Sequence, residues 1–142
     1  MIAIGCDHGG FELKKKIMAH LDARGLEYKD FGTYSDASCD YPIYGKAVAK
    51  AVASGECERG IVICGTGIGI SITANKVPGI RAALCTDCLM AEATRQHNDA
   101  NILALGGRVV GDGLALKIVD TFLDTPFSEG ERHIRRIAQI EG

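Results

Sequence analysis

Cys64 stands directly before a glycine-rich turn, at a position where a thiolate would be stabilised. The run from Gly60 to Cys64 is apolar and rich in β-branched residues, which predicts a strand buried on both faces. Gly65, Gly67 and Gly69 then allow sharp turns and close approach of a ligand to the backbone. We expect a helix to follow. Its free amides and positive dipole end would favour a phosphate, an oxyanion or a thiolate.

The turn matches neither of the two best-known phosphate motifs. Ile70 occupies the sixth position, where a dinucleotide fingerprint requires glycine, and the Gly-Lys-Ser/Thr of a P-loop is absent. The sequence therefore gives no positive indication of nucleotide binding. The same spacing suits a tight turn whose glycines serve only packing, with Cys64 as a small buried hydrophobic residue.

Three further polar clusters follow predicted strands. Asp7 and His8 follow the first strand, whereas Tyr41 ends the loop after the second. Arg108 follows the fifth strand. Because parallel strands end at the same edge, we expect these side chains to share a rim with Cys64. Singly, each has a simpler role: a helix cap for Asp7, and solvated polar surface for His8 and Arg108.

His97 and Asn98 lie at the end of the predicted fourth helix. A histidine cation there interacts favourably with the carbonyl end of the helix dipole. Histidine is also a natural acid–base group near neutral pH. The sequence does not decide between these two roles.

Arg132 and Arg136 lie four residues apart on the predicted last helix. Like charges at this spacing oppose each other by about 0.2–0.5 kcal/mol, which an anion would relieve. Arginine donors suit phosphate or carboxylate, but Glu129 or Glu131 could be partners, or the face could be solvated. The lysine run 14–16 is predicted to lie on the outer face of the first helix and to need no ligand.

Cys85 and Cys88 form a C-x-x-C pair. A structural zinc site requires a second pair or suitably spaced histidines, and the sequence has neither. A redox pair would stand at the start of a helix after a strand, which is nearly the predicted position. We favour two incidental thiols.

Composition limits the possible functions. The 142 residues predict one domain over residues 1–142, and 46% hydrophobic with 24% charged residues is ordinary for a globular protein. A net charge of −2 and the lack of tryptophan argue against nucleic acid and membrane partners. No apolar run reaches membrane-spanning length, and Met1 leads into a strand rather than a signal segment. We therefore expect a cytoplasmic protein with six reduced cysteines.

Strands and helices alternate along the chain. Strands are predicted at residues 1–5, 26–30, 60–64, 79–85 and 101–105. Helices are predicted at residues 10–25, 42–55, after 69, at 87–97, from 111, and at 129–140. This order predicts an α/β fold, a three-layer Rossmann-like sandwich with a five-stranded parallel sheet and helices on both faces.

Nearly the whole chain resembles ribose-5-phosphate isomerase type B, in the family shared with galactose-6-phosphate isomerase. The resemblance is carried by GCDHGGF at 5–11, DYP at 40–42, CGTGIGIS at 64–71, ANK at 74–76, GIR at 79–81, RQHN at 95–98, GR at 107–108 and RHxxR at 132–136. No single motif is specific. Their common order makes the combined signal strong.

The resemblance implies an aldose–ketose isomerase that works through an enediolate, with no metal and no organic cofactor. Cys64 would be the base that moves a proton between C1 and C2. Thr66 and nearby loop groups would stabilise the enediolate charge. These loop residues are Gly65, Gly67, Gly69 and Ser71.

The other implied roles concern the sugar and its phosphate. His97 would open the sugar ring, helped by Asp7 and oriented by Asn98. Tyr41 would line the sugar pocket. The residues implied to hold the phosphate are His8, Arg108, Arg132 and Arg136.

Two features separate this chain from relatives. Some members lack the cysteine and use a glutamate late in the loop, where this chain has Ile70, so it resembles the Cys-dependent members. Galactose-6-phosphate isomerases need two different subunits, whereas this chain has the complete set. Ribose 5-phosphate is the expected substrate. The alternatives are a 6-phosphohexose isomerase for allose or galactose 6-phosphate, a non-catalytic sugar-phosphate-binding module and a redox protein.

The resemblance also implies an assembly. Family members are dimers, often paired into tetramers, in which Cys64-type and His97-type residues meet across the subunit boundary, so a homodimer is expected of this chain. Small and apolar residues at Met90, Ala91 and Ala93 could pack against a symmetric partner or against their own sheet.

Overall fold

Five parallel strands form the centre of the computed structural model, which describes residues 1–142. The strands are β1 (Ile2–Cys6), β2 (Tyr28–Asp30), β3 (Arg59–Cys64), β4 (Ala82–Leu84) and β5 (Ile102–Gly106). Their order across the sheet is β2-β1-β3-β5-β4. The three central strands are buried along almost their whole length, as expected of a parallel sheet covered on both faces.

Six helices surround this sheet, and all but the last pack on one of its two faces. They are α1 (Phe11–Ala23), α2 (Tyr41–Ala53), α3 (Ile68–Asn75), α4 (Cys88–Asn98), α5 (Asp112–Asp124) and α6 (Glu131–Glu141). Alternate residues of each strand point to opposite faces. Ile61 and Ile63 therefore join one core with α1 and α5, while Val62 and Cys64 join the other with α2 and α3. The predicted three-layer fold is confirmed.

β2 and β4 are shorter than predicted from the apolar runs in the sequence, because turn residues occupy the predicted starts of both strands. Leu26 donates its N–H to Leu21 O, so Leu26 belongs to the turn that closes α1, in which Gly25 has a φ of 69°. Before β4, Gly79 has a φ of 88°. The Asn75 side chain bonds both backbone groups of Ala82 and so fixes where this edge strand begins.

The lysine run contains one correction to the sequence prediction. Lys15 and Lys16 are exposed on α1, but the Lys14 side chain is completely buried. Its Nζ lies 2.7 Å from Asp30 Oδ1 and also donates to the carbonyl of Thr33. The prediction that all three lysines lie on an outer face was wrong for Lys14, because an acidic residue and a free carbonyl meet beneath the helix.

Helix α6 contacts the rest of the chain near its two ends, through His133 and through the ion pair of Glu141 with Arg81. His133 is its only buried residue, and its neighbours along the helix are largely exposed. It lies beside the end of α4.

No helix of the chain has both the length and the apolar character needed to cross a membrane.

Candidate active site

Three adjacent strands bring the predicted residues of one cluster together. The N–H of Asp7 donates to Ile63 O at 3.2 Å, and the N–H of Gly107 donates to Cys64 O at 2.8 Å. The loops that follow β1, β3 and β5 are thereby locked side by side at the carboxyl edge of the sheet. We call this edge, with Asp7, His8, Tyr41, the loop 64–69 and Arg108, the strand-end cluster.

Cys64 occupies the centre of the strand-end cluster. Its side chain is 5% exposed, and the N–H of Gly67 donates to its Sγ at 3.1 Å. The turn requires glycine at position 67, because this residue has a φ of 80° and a Cβ there would lie 2.8 Å from the Leu105 carbonyl carbon. A backbone donor at the N-terminus of α3 stabilises negative charge on the sulfur. The arrangement suits a thiolate that accepts a proton.

The first turn of α3 presents further polar groups. Thr66 is exposed, and its Oγ1 accepts the N–H of Ile68 at 3.2 Å. The Ser71 hydroxyl donates to the carbonyl of Ile68 at 2.7 Å, so its proton is engaged within the helix. The ring of Tyr41 covers Gly69, where a Cβ would lie 2.6 Å from Tyr41 Cζ. Thr66 and Tyr41 therefore border the same open loop.

Asp7 and His8 have defined partners. Asp7 Oδ1 accepts the N–H groups of Gly9 at 2.8 Å and Gly10 at 3.2 Å, so the carboxylate caps the turn that precedes α1. His8 Nδ1 accepts the N–H of Cys39 at 3.2 Å. This bond places the proton of a neutral His8 ring on Nε2, which leaves one donor for a ligand. The contact from Cys39 was not foreseen, because nothing in the sequence shows where loop 31–40 folds back.

Arg108 lies over the glycine loop. A Cβ at Gly65 would come within 3.0 Å of Arg108 Nη1, so glycine lets the guanidinium lie close over the loop. The N–H of Arg108 donates to Gly65 O at 2.9 Å and fixes its backbone. Arg108 is exposed and forms no ion pair with a carboxylate of the chain. Its donors are therefore available to an anion beside Cys64.

The remaining predicted residues form a second group at the other end of the sheet. Helix α4 begins next to the carboxyl edge, after β4, and runs back for 11 residues, or about 16 Å at about 1.5 Å per residue. His97 and Asn98 therefore lie towards the amino-terminal edge, with Arg132 and Arg136 nearby on α6. We call these four residues, together with His133, the helix-end cluster. One chain does not bring the two clusters together.

The helix-end cluster is polar and open. Its hollow is lined by residues of α4 and α6 and the segment before α6, including His97 and Arg132, and by none from the strand ends. Arg132 and Arg136 are exposed and form no ion pair, so neither Glu129 nor Glu131 is their partner. The His97 ring stacks on that of His133 with centroids 4.4 Å apart and planes at 15°.

Two arginines with no assigned role anchor this cluster. Arg95 is 2% exposed and donates to Asp99 Oδ1 at 2.8 Å, Ala100 O at 2.6 Å and Thr125 O at 3.1 Å. Arg81 donates to Asn98 O at 2.8 Å and pairs with Glu141 at 2.7 Å. These bonds fix the end of α4 against the flanking segments. Sequence periodicity could not find Arg95, because a charged residue on a helix usually faces solvent.

The C-x-x-C pair lacks the properties of a redox site. Cys85 is 1% exposed, and burial raises the pKa of its thiol to about 12. A reactive thiol requires the opposite shift. Cys88 is the first residue of α4 and is half-buried. The structure therefore favours two incidental thiols.

Comparison with known proteins gives a consistent result. Residues 2–140 match the family described as Ribose/Galactose Isomerase. Ribose-5-phosphate isomerase B of Escherichia coli is 55% identical over 139 residues, which cover 98% of this chain and 93% of that protein. The structure of Clostridium thermocellum ribose-5-phosphate isomerase B superposes with a TM-score of 0.97 at 62% identity, covering 99% of this chain and 94% of that one. The structure of the Thermotoga maritima ribose 5-phosphate isomerase superposes with a TM-score of 0.96 at 54% identity, covering 99% of this chain and 96% of that one.

Proposed function

Because the chain belongs to the ribose/galactose isomerase family, we propose that it interconverts ribose 5-phosphate and ribulose 5-phosphate through an enediolate. The observation that carries this proposal is the Gly67 N–H bonded to Cys64 Sγ at the start of α3. It gives a buried sulfur the stabilisation that a thiolate base requires.

The proton transfer uses the strand-end cluster. In the open-chain aldose, the Cys64 thiolate removes the proton from C2, and the electrons of that bond form the enediolate. Thr66 and the amides of the loop that contains Gly65 and Gly67 stabilise the negative charge on its oxygens. The thiol then returns a proton to C1 while the hydroxyl proton passes from O2 to O1, which leaves the ketone at C2. No bond between heavy atoms breaks.

The phosphate is held by four donors from both clusters, namely His8, Arg108, Arg132 and Arg136. His8 contributes the Nε2 proton that its bond with Cys39 leaves free. None of the three arginines is paired with a carboxylate of its own chain. Phosphate binding by these donors fixes the reacting carbons over Cys64.

The proposed site is completed by a second copy of the chain in a homodimer, or in a tetramer built from two such dimers. Cys64 lies at the carboxyl ends of the strands and His97 lies towards their amino ends, so a single chain cannot place both on one small sugar. A two-fold dimer brings the helix-end cluster of one chain to the strand-end cluster of its partner. Of the predicted contact residues, Ala91 is buried in its own core, whereas Met90 is 40% exposed and available to the interface.

Ring opening would then be the task of the helix-end cluster. His97 takes the proton from the anomeric hydroxyl and returns one to the ring oxygen, which releases the aldehyde. Asp7 of the facing chain would assist, and Asn98, next to His97, would orient the sugar. Tyr41 would border the sugar on the strand-end side.

Isotope exchange tests this function directly. We expect ribose 5-phosphate incubated with the protein in heavy water to give ribulose 5-phosphate, with deuterium entering at C2 of the recovered aldose. Allose 6-phosphate and galactose 6-phosphate should react more slowly in parallel assays. Faster turnover of either hexose phosphate would identify a 6-phosphohexose isomerase. Binding of ribose 5-phosphate without exchange would identify a non-catalytic module.

A further inference from the structure

His133 makes the main side-chain contact between α6 and the end of α4. Its ring is 8% exposed and lies flat against His97, with 4.4 Å between centroids and 15° between planes. Gly130 leaves room for it, since a Cβ at that position would lie 3.0 Å from His133 Cδ2. The His133 N–H donates to Gly130 O at 3.0 Å. The buried ring thus supports the exposed ring of His97 from behind.

The surroundings of His133 are positively charged. Burial is the main cause that lowers the pKa of His133 below its ordinary value of 6.5, followed by the proximity of His97, Arg132 and Arg136. Near neutral pH, His133 is therefore uncharged. Two stacked imidazoles cannot both carry a proton cheaply, and the buried ring is the one whose charged form is disfavoured. His97 is exposed and lines the hollow between α4 and α6, so it is the member of the pair that a ligand can reach.

We propose that His133 is a positioning residue, whose ring holds the His97 imidazole in the orientation that opens the cyclic sugar phosphate. This inference rests on the proposed function. His133 also lies next to Arg132 and three residues before Arg136, so one short helix carries both phosphate donors and the support for the ring-opening group. Binding of the phosphate and orientation of His97 are thereby linked through α6.

The two sugars of the reaction separate a ring-opening defect from a general one. Ribose 5-phosphate is cyclic and requires ring opening before C2 is attacked. Ribulose 5-phosphate cannot form a furanose, because its carbonyl is at C2 and its C5 hydroxyl carries the phosphate. Exchange of its C1 hydrogen with solvent therefore reports proton transfer at Cys64 alone. The ratio of the two rates isolates the contribution of His97 and its support.

The experiment compares His133→Ala, which removes the stack, with His133→Phe, which keeps a flat ring. We expect His133→Ala to slow isomerisation of ribose 5-phosphate by about 10- to 100-fold. Deuterium exchange at C1 of ribulose 5-phosphate should stay within about 3-fold of the unsubstituted protein. His133→Phe should recover most of the lost rate. Gln139→Ala, an exposed change on the same helix, is the matched control and should alter neither rate.

Three results would overturn the inference. An equal loss of both rates in His133→Ala would show a general structural role, and no loss would show that the stack is irrelevant. His133→Phe that folds but opens the ring as slowly as His133→Ala would exclude stacking as the operative contact. Failure of the proposed function is distinguishable, since the unsubstituted protein would then act on neither sugar.

Discussion

Cys64 differs from the other cysteines in what its sulfur contacts. Burial raises the pKa of the Cys6 and Cys85 thiols to about 12, although Lys14 and a backbone bond from Thr33 oppose this shift at Cys6. Cys64 is also buried, but its sulfur accepts a backbone N–H at the start of a helix. Burial alone would make a thiol inert, so this donor is what suits Cys64 to chemistry.

Replacement of Cys64 should separate binding from turnover. We expect Cys64→Ala to lower isomerisation and solvent exchange by at least about 100-fold, because general base catalysis is lost. Binding of a non-reacting sugar-phosphate analogue, measured by calorimetry, should remain, since Cys64 does not contact the phosphate. Cys88→Ala is the control and should keep full activity. Near-normal turnover by Cys64→Ala would refute the assignment.

His133 should also contribute to the pH dependence of the stability of the fold. Its pKa in the folded chain lies below 6.5, so the unfolded chain binds the proton more readily. Stability from this residue is therefore complete above about pH 6.5 and is lost as the pH falls towards the lowered value. We expect the Tm of His133→Phe to fall less than that of the unsubstituted protein between about pH 7.5 and 5.5. Equal falls in both proteins would contradict this.

At the scale of elements, Lys14 joins α1 to β2 and to the loop that ends at Tyr41. Its ammonium pairs with Asp30, while the Thr33 carbonyl accepts a second bond. Removing the cation leaves the Asp30 carboxylate and the Thr33 carbonyl without their Lys14 donor at a poorly hydrated position. We expect Lys14→Met to lower the free energy of unfolding by about 2–4 kcal/mol in urea titrations. Lys15→Met, on the exposed side, should change it by less than about 0.5 kcal/mol; comparable losses would refute the argument.

The elements that the sequence predicts well are those with local signals. The apolar run before Cys64 and the glycines after it indicate a strand, a turn and a helix start from adjacent residues alone. The same holds for Asp7, which caps its own turn. The strand-end cluster could therefore be predicted, since parallel topology gathers such turns at one edge.

Residues whose partners are distant in sequence could not be predicted in this way. Lys14 and Arg95 have the periodicity of surface charges, yet both are buried because backbone carbonyls and one carboxylate meet them there. His133 gives no sign in the sequence that it stacks on His97, 36 residues earlier. Such burial depends on how whole elements pack, which local patterns do not contain.

At the scale of the whole molecule, separation of the two clusters gives a complementation test. Cys64→Ala and His97→Ala homodimers should each be nearly inactive on ribose 5-phosphate. If sites are shared, an equal mixture that is unfolded and refolded should regain up to about a quarter of full activity. About half of the dimers are then mixed, and each mixed dimer has one intact site of two.

The control for this mixture is its composition. Mass spectrometry should show that mixed dimers have formed before activities are compared. A refolded mixture no more active than its parents, with mixed dimers present, would show that each chain supplies its own Cys64 and His97. That result would leave the isomerase function intact and remove the shared site.

The backward run of α4, which carries His97 away from Cys64, has a genetic consequence. A chain that lacks both Cys64 and His97 would inactivate both sites of any dimer that contains it, since each site needs one of these residues from each chain. Expressed in equal amount with the intact chain, it would leave only about a quarter of the dimers active. Such an allele would be dominant over the intact gene, whereas an allele that lacks only one residue would spare one site per mixed dimer.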